Sequence, residues 1–280
     1  MNSMELPLVF FTVLSQMAIG LALMSTIRQF AGAGAVSGNV RSEWLAAAAL
    51  VGLGLIASLA HLGHPLGAPR ALVHLGKAWL SREALGVGVF LALTVVTGGS
   101  AKQKANPLLA LLAVVAGLAT LLFTGMTYAP PSYPAINNVL PFLFFLFTVC
   151  ILGSGVAVYF TPEARMPLLT RILTVSLITA LVVYLTVPCV WLSGNTAMAL
   201  TGKAWLGSWL FWLRIVAGLV LPLAVVAKTR TIPLWLPVLL LIGELLGRMV
   251  FFSQTLHSAA NIGGFSGEIP TPELYVRSTQ

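Results

Sequence analysis

Two titratable residues, His61 and Glu83, bracket a short basic stretch in an otherwise apolar sequence. Histidine titrates near neutral pH, so that it can accept or release a proton, and a neighbouring carboxylate can relay that proton. The pair suits oxidation of a hydroquinone, which loses two protons together with two electrons. Each residue alone also has a structural interpretation, because a cationic group favours the C-terminal end of a helix and an acidic group favours the first turn.

A second polar group lies near the C-terminus, where Glu244 and Arg248 are four residues apart in an apolar run. On a helix they share a face and are predicted to pair. Gly243 and Gly247 give this run the spacing of small residues that permits close helix contact. Two interpretations remain open: a structural ion pair, or an Arg248 that donates a hydrogen bond to a quinone carbonyl. Gln16, in another apolar run, is predicted either to join helices or to line the pocket.

The basic stretch itself adds Arg70, which we expect to help orient the ring oxygens of a quinone. His64 and His74 are predicted to be residues of the membrane interface. His61 and His64 are three residues apart, as metal ligands can be, but a third ligand is not evident, so we expect no metal. These three histidines and His257 all fall at the ends of apolar runs or between them. Paired haem ligands in mid-membrane are therefore not expected.

The elements that must position these residues follow from the composition. The 280-residue chain is 58% apolar and only 8% charged, whereas soluble domains carry about 25% charged residues. So few charges cannot cover a surface exposed to water. The composition excludes an ordinary soluble enzyme, a disordered chain and a nucleic-acid-binding protein, and it assigns the net charge of +8 to membrane topology.

Eight apolar runs, each near the ~20 residues that cross a bilayer, predict an all-α fold, a polytopic bundle of eight transmembrane helices. The first is expected to be an uncleaved helix, because no basic segment precedes it. We expect residues 1–260 to form this bundle and residues 261–280 to form a short polar periplasmic tail. The runs lie at about 5–27, 43–61, 83–100, 107–128, 139–160, 169–190, 207–227 and 232–256.

Basic residues between the runs predict the orientation. Loops one, three, five and seven hold eight of them, and the opposite side holds five. Since cytoplasmic loops are the more basic, both termini are predicted to lie outside. Loop 62–82 holds three of the five opposing residues, which makes it a candidate for function. The eight are Arg28, Arg41, Lys102, Lys104, Arg165, Arg171, Lys228 and Arg230.

Two other features indicate contact with the membrane interface. Arg214 lies inside the seventh run, near its outer end, and is predicted to extend its side chain to the interface. Trp205, Trp209 and Trp212 have helical spacing and are predicted to form part of an aromatic belt.

The candidate residues also carry a resemblance to a known family. Over essentially its whole length, the sequence resembles the membrane-anchor subunit of anaerobic dimethyl sulfoxide reductases, the DmsC-like family. The most specific feature is the combination of the second and fourth of four stretches. These are PLVFFTVLSQ at 7–16, ASLAHLGHP at 57–65, LSRE at 80–83 and GELLGR at 243–248.

The resemblance implies eight helices with both ends outside and no haem. Such anchors hold a molybdopterin catalytic subunit and a four-cluster iron–sulfur subunit on the membrane, bind menaquinol and pass its electrons to the iron–sulfur subunit. The family residues that match His61 and Glu83 are tied to quinol binding and oxidation. Arg82 occupies a position where other residues are more usual, which leaves the acid undisturbed. His64 adds a titratable group beside the implied site, and the terminal electron acceptor is not implied.

The leading hypothesis is therefore a menaquinol-oxidising anchor. Glu83 and His61 would take up or relay protons, and Arg248, with Gln16 or Arg70, would orient the ring. Electrons would leave for an iron–sulfur cluster docked on the outer face.

Two alternatives remain. A small-molecule or ion transporter would use Gln16, Glu244 and Arg248 as a substrate pathway, although transporters usually show an internal repeat and midplane polar groups. A purely structural anchor would carry out no quinol chemistry.

Overall fold

The computed structural model describes residues 6–30, 39–60 and 65–261. Within these ranges the chain forms helices joined by turns, and it contains no strand. Eight helical segments are long and apolar enough to cross a membrane, which confirms the predicted all-α fold with eight spans. Residues 262–280, most of the predicted polar tail, lie outside the described residues, as do His61 and His64.

The first four spans are single α-helices, and the boundaries agree with the predicted runs to within a few residues. Asn106 shows how local chemistry starts one of them: its side chain accepts hydrogen bonds from the backbone N–H groups of Leu108 (3.0 Å) and Leu109 (3.3 Å) just before Pro107. A capping amide followed by proline is a favourable helix start. The four helices are α1 (Leu6–Phe30), α2 (Val40–Leu59), α3 (Trp79–Ser100) and α4 (Pro107–Thr127).

The remaining spans include two irregular ones. The fifth is α5 (Leu140–Val156) continued by a 3₁₀ turn to Phe160, and the sixth is α6 (Met166–Leu192). A further short helix, α7 (Thr196–Gly207), was not predicted. The seventh span joins α8 (Trp209–Ile215) to α9 (Leu221–Thr229) through a π-helical turn, Val216–Val220, and the eighth is α10 (Leu236–Gln254).

Helix α1 lies at the centre of the bundle and contacts α2, α4, α5 and α10. Glycines allow its backbone to approach α5: a Cβ atom added to Gly153 would lie 2.6 Å from the Cα of Gly20. Such close backbone contact between small residues is a common basis of helix packing in membranes, where apolar burial alone gives no driving force.

A buried ion pair joins the C-terminal end of α1 to the N-terminal end of α2. Arg28 pairs with Glu43, donates a second hydrogen bond to Thr161, and is buried with its partner. Ser25 donates to the other oxygen of Glu43 at 2.8 Å. Each charge in the pair is thus matched, which a membrane interior requires. The sequence predicts that Arg28 lies in a connecting loop. In the structure it lies in the last turn of α1, because this helix extends to Phe30.

Two predictions about the membrane interface are wrong. Trp205 is fully buried, because α7 packs against α6 and brings the indole to within 5.0 Å of the Trp191 ring, measured between centroids. Trp209 and Trp212 are exposed on the bundle surface, as a belt requires. Arg214 does not extend to the surface either: it is 0% exposed and bonds to a carboxylate inside the bundle.

Candidate functional site

A cavity of about 780 Å³ opens at one end of the bundle, between α1, α2, α3, α4 and the 3₁₀ helix Pro65–Leu72. This volume lies within the range of small-molecule sites, which are mostly apolar with a few placed polar groups. The cavity follows that pattern, with one carboxyl and one guanidinium among its lining groups. Its lining consists of Leu8, Phe11, Leu55, Ser58, Leu59, Gly67, Ala68, Arg70, Ala71, Leu80, Glu83, Ala84, Val87, Thr127 and Tyr128.

Among the described residues that line the cavity, Glu83 provides the only carboxyl group. Helix α3 begins at Trp79, four residues before the predicted start, so Glu83 lies in the second turn and not in the first. Its side chain is buried, and one oxygen accepts a hydrogen bond from Thr124 Oγ1 of α4 at 3.1 Å. The other oxygen, Oε2, has no hydrogen-bond partner among the described residues. This oxygen is therefore an unsatisfied hydrogen-bond acceptor on a residue that lines the cavity.

Arg70 lies on the 3₁₀ helix, at the exposed side of the same cavity. The structure thus brings Arg70 and Glu83 to one site, as the sequence predicts. Both Leu59, at the end of α2, and Gly67 line the cavity. His61 belongs to the segment between them, which lies outside the described residues, so its predicted proximity to Glu83 stays a prediction. His74 is exposed.

Tyr128 lines the cavity and was not predicted to be a site residue. Its ring contacts those of Phe145 (5.8 Å) and Phe252 (5.2 Å) edge-on. Burial raises the pKa of the Tyr128 phenol above its ordinary value, the Glu83 carboxylate raises it further, and the Arg248 guanidinium lowers it. The phenol is thus a neutral hydrogen-bonding group. The sequence does not single out Tyr128, because this residue stands at the end of an apolar run and next to a proline-rich segment that is typical of a connecting loop.

The second predicted cluster, Glu244 and Arg248 together with Gln16, forms a buried hydrogen-bond network outside the lining of the cavity. Arg248 Nη2 donates to Gln16 Oε1 at 2.5 Å and to Thr148 Oγ1 at 3.0 Å. Thr148 in turn donates to Glu244 Oε2 at 2.7 Å. Arg214 Nη2 donates to Glu244 Oε1 at 2.6 Å and forms an ion pair with it. The network therefore connects α1, α5, α8 and α10.

The predicted ion pair between Glu244 and Arg248 is wrong. The carboxylate pairs with Arg214 of the neighbouring span because the π-helical turn that follows α8 packs very closely against α10: a Cβ atom added to Gly218 would lie 2.8 Å from the Cα of Gly243. The small residues at 243 and 247 thus have the role that their spacing predicts. Of the two interpretations of Gln16, the one that joins helices describes its observed bond to Arg248.

The five described candidates therefore occupy two places. Arg70 and Glu83 line the cavity, whereas Gln16, Glu244 and Arg248 lie in the network and are not among its lining residues. Among the residues that the structure describes, no group of three or more histidine, cysteine, aspartate or glutamate side chains is arranged to hold a metal ion.

Eight apolar spans that bury their charged groups between them define a multi-pass helical membrane protein. The chain belongs to the family of DMSO reductase anchor subunits (DmsC), whose sequence model matches residues 1–254. This confirms the resemblance seen in the sequence.

Two individual relatives agree with this assignment. The chain is 32% identical over 171 residues to the anaerobic dimethyl sulfoxide reductase subunit YnfH of Escherichia coli (strain K12). It is 30% identical over 155 residues to the C subunit of the anaerobic dimethyl sulfoxide reductase of Haemophilus influenzae. The aligned parts cover 58% and 53% of this protein, which spans 59% and 56% of the two relatives.

Proposed function

We propose that this protein is the membrane anchor of a DMSO reductase-type molybdoenzyme complex and that it oxidises menaquinol in the Glu83 cavity. The observation that carries the proposal is the buried carboxyl group of Glu83, which lines an apolar cavity. One of its oxygens has no hydrogen-bond partner among the described residues. The naphthoquinol ring is apolar and flat, so it suits such a lining. Its hydroxyl group is a donor, so it suits the free acceptor oxygen.

The reaction requires groups that accept protons and orient the ring, and the polar residues at the cavity can supply them. Menaquinol becomes menaquinone when two electrons leave and its two hydroxyl groups lose their protons. Glu83 accepts one proton as a general base, held in position by Thr124. His61, which the family resemblance implies, accepts or relays the other. Arg70, at the exposed side of the cavity, orients a ring oxygen and provides a positive charge near the exit of the protons.

The electrons leave through partner subunits. The name of the family, an anchor subunit of DMSO reductase, supports a complex with other subunits. We assign these as a four-cluster iron–sulfur subunit, which takes the electrons, and a molybdopterin catalytic subunit, which reduces the terminal acceptor. The cavity end of the bundle would face the periplasm, with both termini on that side of the bacterial inner membrane. The stretch 65–78, part of the atypically basic loop, would then face the iron–sulfur subunit.

The family assignment favours this function over the transporter alternative. The structural-anchor alternative shares the family and is separated from the proposal only by quinol chemistry. The complex, isolated through a tag on this protein, should contain an iron–sulfur protein and a molybdoenzyme. Rapid mixing of that complex with a short-chain naphthoquinol should reduce the iron–sulfur clusters. The reduction is measured as a decrease in the visible absorbance of the clusters. Partners that co-purify without any reduction of the clusters would support the structural anchor and contradict the proposal.

A further inference from the structure

The buried charged residues in the described part of the chain form two ion pairs and leave two residues, Arg248 and Glu83, without an ionic partner. Arg28 pairs with Glu43, and Arg214 pairs with Glu244. Arg248, also buried, forms no ion pair in the part of the chain that the structure describes. Its hydrogen-bond partners Gln16 and Thr148 are both neutral. The network of Arg214, Glu244 and Arg248 therefore carries one uncompensated positive charge.

An uncompensated charge in a membrane protein interior is costly, and it usually indicates a function. Packing alone does not require it, because a neutral side chain of similar size could fill the same space at a lower cost. The Nε atom of Arg248 has no partner among the described residues, so the guanidinium is not fully satisfied by the network. These observations raise the question of which negative charge Arg248 faces.

Two aromatic rings lead from Arg248 to the cavity. The Arg248 guanidinium carbon lies 4.0 Å from the centroid of the Phe145 ring. That centroid lies 5.8 Å from the centroid of the Tyr128 ring, which lines the cavity. The guanidinium is thus within about 10 Å of the Tyr128 ring, and the side chains between them are aromatic. Charges interact appreciably over that distance when the intervening medium is apolar and salt does not enter it.

We propose that Arg248 acts through the Phe145–Tyr128 wall as a fixed positive charge that favours a negatively charged species in the cavity. This inference rests on the proposed function, because the ligand is taken to be a quinone. Deprotonation of the quinol creates negative charge in the cavity, and Arg248 stabilises it without touching the ring. Arg248 thus acts through its charge and makes no contact with the ligand. In the described part of the chain, the other charged groups that line the cavity or belong to the network are Arg70, Glu83, Arg214 and Glu244.

Gln16 offers a way to cancel this charge while the packing is preserved. Gln16→Glu is isosteric, keeps the acceptor oxygen for Arg248 and places a carboxylate beside the guanidinium, so that the network becomes neutral. Gln16→Met has nearly the same shape and removes the acceptor, but it leaves the positive charge. If the hydrogen bond has only a structural role, Gln16→Met should impair ligand binding more than Gln16→Glu does. The electrostatic role predicts the opposite order.

The experiment measures the dissociation constants of two probes for the intact purified complex. One probe is a short-chain alkyl naphthoquinone, which is uncharged, and the other is its 2-hydroxy analogue, which is ionised at neutral pH. Gln16→Glu should weaken binding of the ionised probe about tenfold, as expected for one charge at this distance in a partly polarisable medium. It should leave binding of the uncharged probe unchanged. Gln16→Met should keep the wild-type ratio of the two constants.

A second variant covers the possibility that Gln16→Glu prevents assembly. Arg248→Gln removes the charge directly, and Arg214→Gln combined with Glu244→Gln keeps the net charge while removing the ion pair. Only the first should change the ratio of the two constants. If both probes weaken equally in every variant, Arg248 is structural and the inference fails. If the wild-type complex binds neither probe, the proposed function itself fails.

Discussion

Thr124 and Glu83 are joined across α4 and α3 by a hydrogen bond of 3.1 Å that uses one oxygen of the carboxylate, while the other oxygen has no hydrogen-bond partner among the described residues. Thr127, which also lines the cavity, donates its hydroxyl hydrogen to the Phe123 carbonyl of its own helix. Thr124 thus holds one oxygen of the carboxyl group. This arrangement allows a general base to be held in position and still reach a ligand.

Glu83→Gln should remove quinol oxidation while the complex still assembles. The amide has the shape of the acid but cannot accept a proton, and loss of a general base costs about 10²–10⁴-fold in rate. Quinol-dependent reduction of the terminal acceptor, measured in membranes, reports the effect. Glu163→Gln, on an exposed glutamate, is the matched control. Wild-type turnover in Glu83→Gln would remove this carboxyl from the mechanism.

Thr124→Val should lower the rate more modestly, by about tenfold. The change keeps the shape of the side chain and removes the hydrogen bond that orients the carboxyl, which is worth about 1.5–3 kcal/mol when the acceptor is charged. Thr179→Val is a suitable control, because Thr179 is exposed and bonds only to its own helix. An equal loss in both variants would show that the threonine at 124 has no special role.

Ala84→Phe should block the cavity. Ala84 lines it, so a larger side chain there would occupy the space of the ring. Binding of an uncharged naphthoquinone to the purified complex should fall below detection, whereas the yield of the complex stays unchanged. Ala92→Phe places the same side chain on the exposed face of the same helix and should bind normally. Normal binding in both variants would place the quinone site elsewhere.

Glu244→Gln should destabilise the protein, because it leaves Arg214 buried without its carboxylate. Breaking a buried pair by removing one partner costs about 3–5 kcal/mol, whereas replacing both partners by apolar residues is often tolerated. Thermal unfolding in detergent should therefore occur at a clearly lower temperature in Glu244→Gln than in the double variant Arg214→Met, Glu244→Leu. The reverse order would contradict a structural role for the pair.

The spans could be predicted from the sequence because each depends on a local quantity, the length of an apolar run. The partners of the buried charges could not, because they depend on which helices are neighbours. Glu244 and Arg248 have the spacing of a pair along one helix, but Arg214 approaches the carboxylate across the Gly218–Gly243 contact. A sequence pattern cannot show that contact before the packing is known.

Of the residues that line the cavity, Glu83 and Arg70 could be predicted because an acid at the start of an apolar run follows a loop that is unusually basic for its side of the membrane. Tyr128 could not, since aromatic residues at helix ends are common in membrane proteins. Trp205 was wrongly assigned for a related reason: the pattern of three tryptophans is typical of a belt, and only the fold of α7 turns the first of them inward.

The ion pair of Arg28 and Glu43 lies at the opposite end of α1 and α2 from the cavity that separates them. It ties the two helices together at that end. From Glu43 to the cavity-lining end of α2 at Leu59 the helix is about 24 Å long, so a tilt of about 3° at the ion pair moves that end by about 1 Å. A change in the angle between the two helices at this ion pair would therefore alter the width of a cavity at the far end of the bundle.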